Sequence, residues 1–126
     1  MSDFELSSTS GSPGVLLKAQ TGECAFTGYS IPQNNKEFYR PILNWLKEYA
    51  EQPAEQTCLT MQMEYMDNAS RKVFANILND LKSLHQKHLT KVTVAWYFKP
   101  GNEDMAELGK RLQAETSLNF SYSTLN

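Results

Sequence analysis

TCLTMQMEYMDNASRKVFANILNDL, residues 57–81, changes its period partway along. Over residues 57–65 apolar and polar side chains alternate. Leu59, Met61, Met63 and Tyr65 fall on one side, and Cys58, Thr60, Gln62 and Glu64 on the other. Successive side chains of a strand point to opposite faces, so the pattern predicts a strand with one face buried against helices. Farther on, Val73, Ile77, Leu78, Leu81 and Leu84 recur at helical spacing and predict a helix running to about His88. A polar junction, Asp67 to Lys72, joins the two. A strand that feeds directly into a helix is half of a βαβ unit, and this sets the expectation for the rest of the chain.

Upstream, VLLKAQ (15–20) and ECAFTGYS (23–30) are β-compatible and separated by Thr21-Gly22, a spacing that suits a hairpin. Phe38, Ile42, Trp45, Leu46 and Tyr49 then trace an amphipathic helix that Asn34 or Asn35 can cap. Pro41 lies inside it and removes a backbone donor, so an irregular first turn or a bend is expected there. Downstream, KVTVAWYF is β-branched and aromatic and ends at the turn Lys99-Pro100-Gly101. A third helix opens at Asn102 or Glu103 with Met105, Leu108 and Leu112 inward, and NFSYS closes the chain as a short strand. The order β-β-α-β-α-β-α-β implies right-handed crossovers and an α/β fold, a mixed sheet of four or five strands with helices packed on it. Residues 1–13 have few apolar anchors and read as a flexible N-terminal segment, leaving 14–126 as a single domain.

Twelve basic against fourteen acidic residues give a formal net charge of −2. No long-range field gathers nucleic acid or anionic lipid, and no apolar run approaches a membrane span. The expectation is a cytoplasmic protein without nucleic-acid partners or membrane insertion. Cys24 and Cys58 lie far apart in strand-like segments and read as reduced packing residues.

Little chemistry is expected. His85 and His88 could touch one metal ion, but no Cys, Asp or Glu is placed to complete a tetrahedral set; as cations they would simply complement a helix C-terminus. Neither GxGxxG nor GxxxxGK[ST] occurs. Trp45, Tyr49, Trp96 and Tyr97 lack the interleaved basic residues of a single-strand groove, and both tryptophans sit at inward positions. No catalytic residue, metal site or cofactor is predicted; a small enzyme using Asp67 or the histidines is the weakest of three functional readings.

The junction holds the strongest candidate. Asp67, Asn68 and Ser70 stand where a helix begins, and such side chains satisfy free N–H groups for about 1 kcal/mol relative to Ala. Arg71 and Lys72 add positive charge where the helix dipole is already positive, an arrangement that could attract an anion or an acidic partner. Three segments here, YSIPQNNKEFYRPILNWLKEYAEQP, MEYMDNASRKVFANILNDL and VTVAWYFKPGNEDMAELGKRL, resemble the SiaC family of bacterial regulatory phosphoproteins, relatives of the STAS domains of anti-sigma-factor antagonists. The resemblance covers roughly residues 22–120. It implies a non-enzymatic partner-switching protein with a STAS-like fold, which in unmodified form binds and activates a GGDEF-type diguanylate cyclase and promotes biofilm formation. A dedicated kinase and phosphatase would modify it at the helix start. The broader relatives offer a second reading, an antagonist that binds a histidine-kinase-like anti-sigma factor.

The family run is tyrosine, an apolar residue, asparagine, then threonine-serine-serine, the threonine being phosphorylated. The corresponding residues here are Tyr65, Met66, Asp67, Asn68, Ala69 and Ser70. Asn68 has no hydroxyl to receive a phosphoryl group, so it is expected to imitate the unmodified state while still capping. Ser70 is the remaining hydroxyl and the alternative acceptor. The implied partner surface comprises Tyr65, Asp67, Asn68, Ala69, Ser70, Arg71 and Lys72.

Overall fold

The computed structural model describes residues 1–125 and realises the expected alternation of strands and helices. The elements are β1 (Phe4–Leu6), β2 (Gly14–Lys18), β3 (Glu23–Ser30), α1 (Asn35–Tyr49), β4 (Gln56–Met66), α2 (Asn68–Gln86), β5 (Lys91–Phe98), α3 (Glu103–Thr116) and β6 (Asn119–Thr124). All six strands join one sheet in chain order. β1, β2 and β3 form an antiparallel meander, and β3 to β6 run parallel. Each helix is thus a crossover to the next strand along. Right-handed crossovers that all step in one direction put their helices on one face of the sheet, and α2 accordingly packs against both α1 and α3.

Burial follows from this one-sided arrangement. Leu59, Met61, Met63, Val92, Val94 and Trp96 are buried beneath the helices. Their neighbours Cys58, Thr60, Gln62, Thr93 and Ala95 are half-buried on a face that no helix covers. The helices contribute Ile42, Trp45 and Tyr49 from α1, Phe74, Ile77, Leu78 and Leu81 from α2, and Met105, Leu108 and Leu112 from α3. Both tryptophans are core, and Trp96 Nε1 donates to the Met105 carbonyl at 2.9 Å. α1 runs through Pro41 to Tyr49 and is capped by Asn34, whose side chain accepts from Glu37 N.

The sheet has one strand more than expected because residues 1–13 are not a free lead-in. Phe4, Glu5 and Leu6 pair with Leu17, Leu16 and Val15. Trp45 Nε1 donates to the Ser2 carbonyl at 2.8 Å, and Ile31 N donates to the Gly11 carbonyl at 2.8 Å. An edge strand is held by main-chain hydrogen bonds, which hydropathy does not register.

Two buried hydroxyl groups on α1 peg that helix to the sheet. Near its start Tyr39 Oη lies 2.6 Å from Ser30 Oγ on β3. At its end Tyr49 Oη lies 2.7 Å from Thr57 Oγ1 on β4, which in turn lies 2.8 Å from Thr90 Oγ1. No buried side-chain nitrogen or oxygen among the described residues lacks a partner. Both cysteines are free, and burial pushes the Cys24 thiol up to about 12.

Two outcomes check this packing. Gly22 has φ +78° in the β2–β3 turn, and a Cβ there would run into the Gln56 carbonyl. Gly22→Ala is therefore expected to cost about 2 kcal/mol or more in denaturant unfolding. Iodoacetamide at pH 8 is expected to leave Cys24 unmodified in the native protein, by mass spectrometry, and to modify it after denaturation.

Candidate functional site

The start of α2 is fixed by hydrogen bonds to the end of β3. Ser30 and Met66 are register partners, and Asp67 N donates to the Ser30 carbonyl at 3.0 Å. Asp67 has extended backbone angles and is the N-cap: its Oδ1 accepts from Ser70 N at 2.9 Å. The capping role expected of Asn68 therefore falls to Asp67. Asn68 is the first helical residue, and its side chain is exposed beside that of Ala69. The N–H groups of Asn68 and Ala69 have no acceptor among the described residues, as is usual in a first helical turn.

Ser70 points the other way. It is 0% exposed and joins a closed hydroxyl cluster. Its Oγ lies 3.2 Å from the Ser30 carbonyl, 2.7 Å from Ser30 Oγ and 3.2 Å from Asn35 Nδ2. One assignment uses every hydroxyl proton: Tyr39 donates to Ser30 Oγ, Ser30 to Ser70 Oγ, and Ser70 to the Ser30 carbonyl, while Asn35 donates to Ser70. Burial raises the Tyr39 phenol above its ordinary range, which keeps this donor protonated. A phosphoryl group has no room at Ser70 in the folded protein, and the hydroxyl is already saturated. The Ser70 hydroxyl is not presented to solvent in the folded protein.

Arg71 is not a free anion receptor either. Its Nη2 lies 2.6 Å from Asp104 Oδ2 on α3, and its Nε donates to the Met66 carbonyl at 2.8 Å. The hydrogen bond from Arg71 lowers the Asp104 carboxyl below its usual range. The guanidinium also lies over the Tyr65 ring, 5.9 Å from its centroid. Lys72 is exposed and makes no ion pair among the described residues, so it alone of the two basic side chains offers unmatched charge.

Tyr65 departs from the alternation that predicted it inside. The β3–β4 register runs Gly28↔Met63 and then Tyr29↔Tyr65, so Glu64 is an extra residue in β4. Such a bulge reverses the phase of a strand. Met66 is consequently buried at 0% exposure, and Tyr65 emerges at 43%. Tyr29, Glu64, Lys99, Asn102 and Asp104 border the turn, and sequence reasoning missed them all. The one available signal was local: Met63 and Met66 are both apolar with two residues between them, a spacing that strict alternation cannot bury.

The histidines lie at the far end of α2. His85 Nδ1 accepts from Val92 N at 3.0 Å. His88 has φ 60° just beyond the helix. No group of three or more potential metal ligands occurs among the described residues, and no described helix is long and apolar enough to cross a membrane.

The same constellation of elements occurs in known proteins. The SiaC structure of Pseudomonas aeruginosa superposes with a TM-score of 0.88 at 23% identity, over 99% of this chain and 100% of that one. SiaC crystallised with the diguanylate cyclase SiaD, of which it is the activator, gives a TM-score of 0.90 at 24% identity, over 98% of this chain and 100% of that one. An uncharacterised protein of Pseudomonas aeruginosa strain UCBPP-PA14 is 26% identical over 121 residues, 96% of this chain and 95% of its own length. The model of the SiaC family of regulatory phosphoproteins matches residues 6–125, and with that match over nearly its whole length the chain belongs to this family.

Proposed function

We propose that this chain is a non-enzymatic cytoplasmic regulator that binds a GGDEF-type diguanylate cyclase, raises its activity and so promotes biofilm formation, and that position 68 holds it in the binding-competent form. The observation that carries the reading is an exposed amide as the first residue of α2, in a member of a family of phosphoproteins. SiaC of Pseudomonas aeruginosa activates a diguanylate cyclase in complex with it, which supports the choice of partner.

The physical argument concerns charge. A phosphoryl group at the first residue of a helix would bring about −1.5 to −2 charges and three acceptors to donors that are otherwise open. Asn68 presents a neutral amide and accepts no phosphoryl group. The family's kinase and phosphatase would then find no substrate at this position, and output would follow the abundance of the protein. Position 68 would act as the switch in relatives and as a fixed setting here. Asp67, Ala69 and Lys72 would share the contact surface, with Ser70 beneath it and Arg71 tying it to Asp104 on α3.

The reading is tested with diguanylate cyclases from the same genome, purified and assayed with this chain. Binding and a rise in cyclase activity are expected, unchanged by prior incubation with the cognate kinase and ATP. Asn68→Thr is expected to take up phosphate and to lose most of its cyclase affinity, by about ten-fold or more, once phosphorylated. Phosphate recovered on residues 65–74 of the parent protein, or no binding to any cyclase, would sink the proposal.

A further inference from the structure

We infer that the Glu64 bulge exists to build an aromatic contact surface, in which Tyr29 and Tyr65 stand together on the uncovered sheet face as the main anchors for the partner. The inference rests on the functional reading above and names the chemistry of its contact.

Without the extra residue, β4 would continue its alternation, Tyr65 would enter the core and Met66 would leave it. With the bulge, Tyr65 becomes the register partner of Tyr29, and the two are 43% and 41% exposed. Their neighbours Ser30 and Met66 are both fully buried on the helix side, so the two tyrosines share the opposite face. Bulges are concentrated where a strand must re-aim a side chain.

This irregularity is secured on every side. The Glu64 carbonyl accepts from Asn102 Nδ2 at 3.0 Å, and Asn102 is also the cap of α3. The Glu64 carboxylate pairs with the Lys99 ammonium and lies 3.5 Å from Tyr29 Oη. On the partner strand Gly28 takes φ +101°, a conformation open to glycine and costly for other residues. The Tyr65 ring is faced by Arg71, itself tied to Asp104 and to the Met66 carbonyl. Two exposed rings are therefore held in place before any partner arrives, and prior order lowers the entropy lost on binding.

Charge around the rings narrows the occupant. Lys99 is matched by Glu64, and Arg71 by Asp104. Lys72, one helical turn beyond Asn68, is exposed and makes no ion pair among the described residues, and neither does the Asp67 carboxylate at the cap. The surface fits a protein segment that lays apolar side chains over the two tyrosines and brings a carboxylate to Lys72. A polyanion such as nucleic acid would meet the unpaired Asp67 carboxylate at the same turn.

The test uses the cyclase bound by the parent protein. Tyr29→Ser and Tyr65→Ser are each expected to weaken binding about ten-fold or more, with the fold retained by circular dichroism because neither ring enters the core. Lys72→Glu is expected to weaken it as well. Ser121→Ala, an exposed change on β6 away from the bulge, is expected to have no effect. Tyrosine variants that bind within about two-fold of the parent would overturn this inference and leave the functional proposal standing, provided the parent binds and phosphorylated Asn68→Thr does not. A parent that binds no cyclase overturns both.

Discussion

The burial of Ser70 is the constraint from which the rest of the site follows. Its hydroxyl is locked to Ser30 on β3 and accepts from Asn35 on α1, which fixes the rotation of α2 about its own axis. Residues two apart on a helix point roughly 200° from each other. With Ser70 turned fully inward, Asn68 must turn outward. The same rotation brings Arg71 against Asp104 and the Tyr65 ring and leaves Lys72 in solvent. Loss of the cluster would leave buried polar groups unsatisfied, each costing about 1–3 kcal/mol, so the setting is energetically stiff.

Stiffness on the helix side is paired with openness on the other. Strand order matches chain order, and the helices gather on one face. The uncovered face is lined mainly by small or polar side chains such as Thr60, Gln62, Thr93 and Ala95, which tolerate water. Large rings appear there where β3 and β4 end, beside the start of α2. Tyr29 reaches that face by the regular alternation of β3, and the extra Glu64 brings Tyr65 beside it. The candidate surface therefore draws on β3, β4, α2 and the turn before α3.

Much of this architecture was legible in the sequence because it follows from periodicity. The alternation in β4, the spacing of apolar residues in α2 and the caps Asn34 and Asn102 each have a local physical cause. The junction at residues 67–72 was visible for the same reason, as polar residues between two periods. What escaped was non-local. β1 is only three residues long and is held largely by main-chain bonds to β2, so its own residues carry little signal. The phase change at Glu64 depends on a register with β3, and the spacing of Met63 and Met66 was its one local sign. Ser70 and Asn68 look alike as cap formers, and only the partners supplied by Ser30, Tyr39 and Asn35 separate the inward residue from the outward one. Arg71 was misread because Asp104 lies thirty-three residues away in the chain.

Hydrogen–deuterium exchange of this chain, alone and with the cyclase it binds, tests the central claim that the partner rests on the turn opening α2 and on the strand ends beside it. The expected result is slower exchange on addition of the cyclase in residues 27–31 and 64–72, with residues 85–91 at the far end of α2 unchanged. Protection confined to the β1 edge or to α3, with the turn exchanging at its free rate, would contradict it.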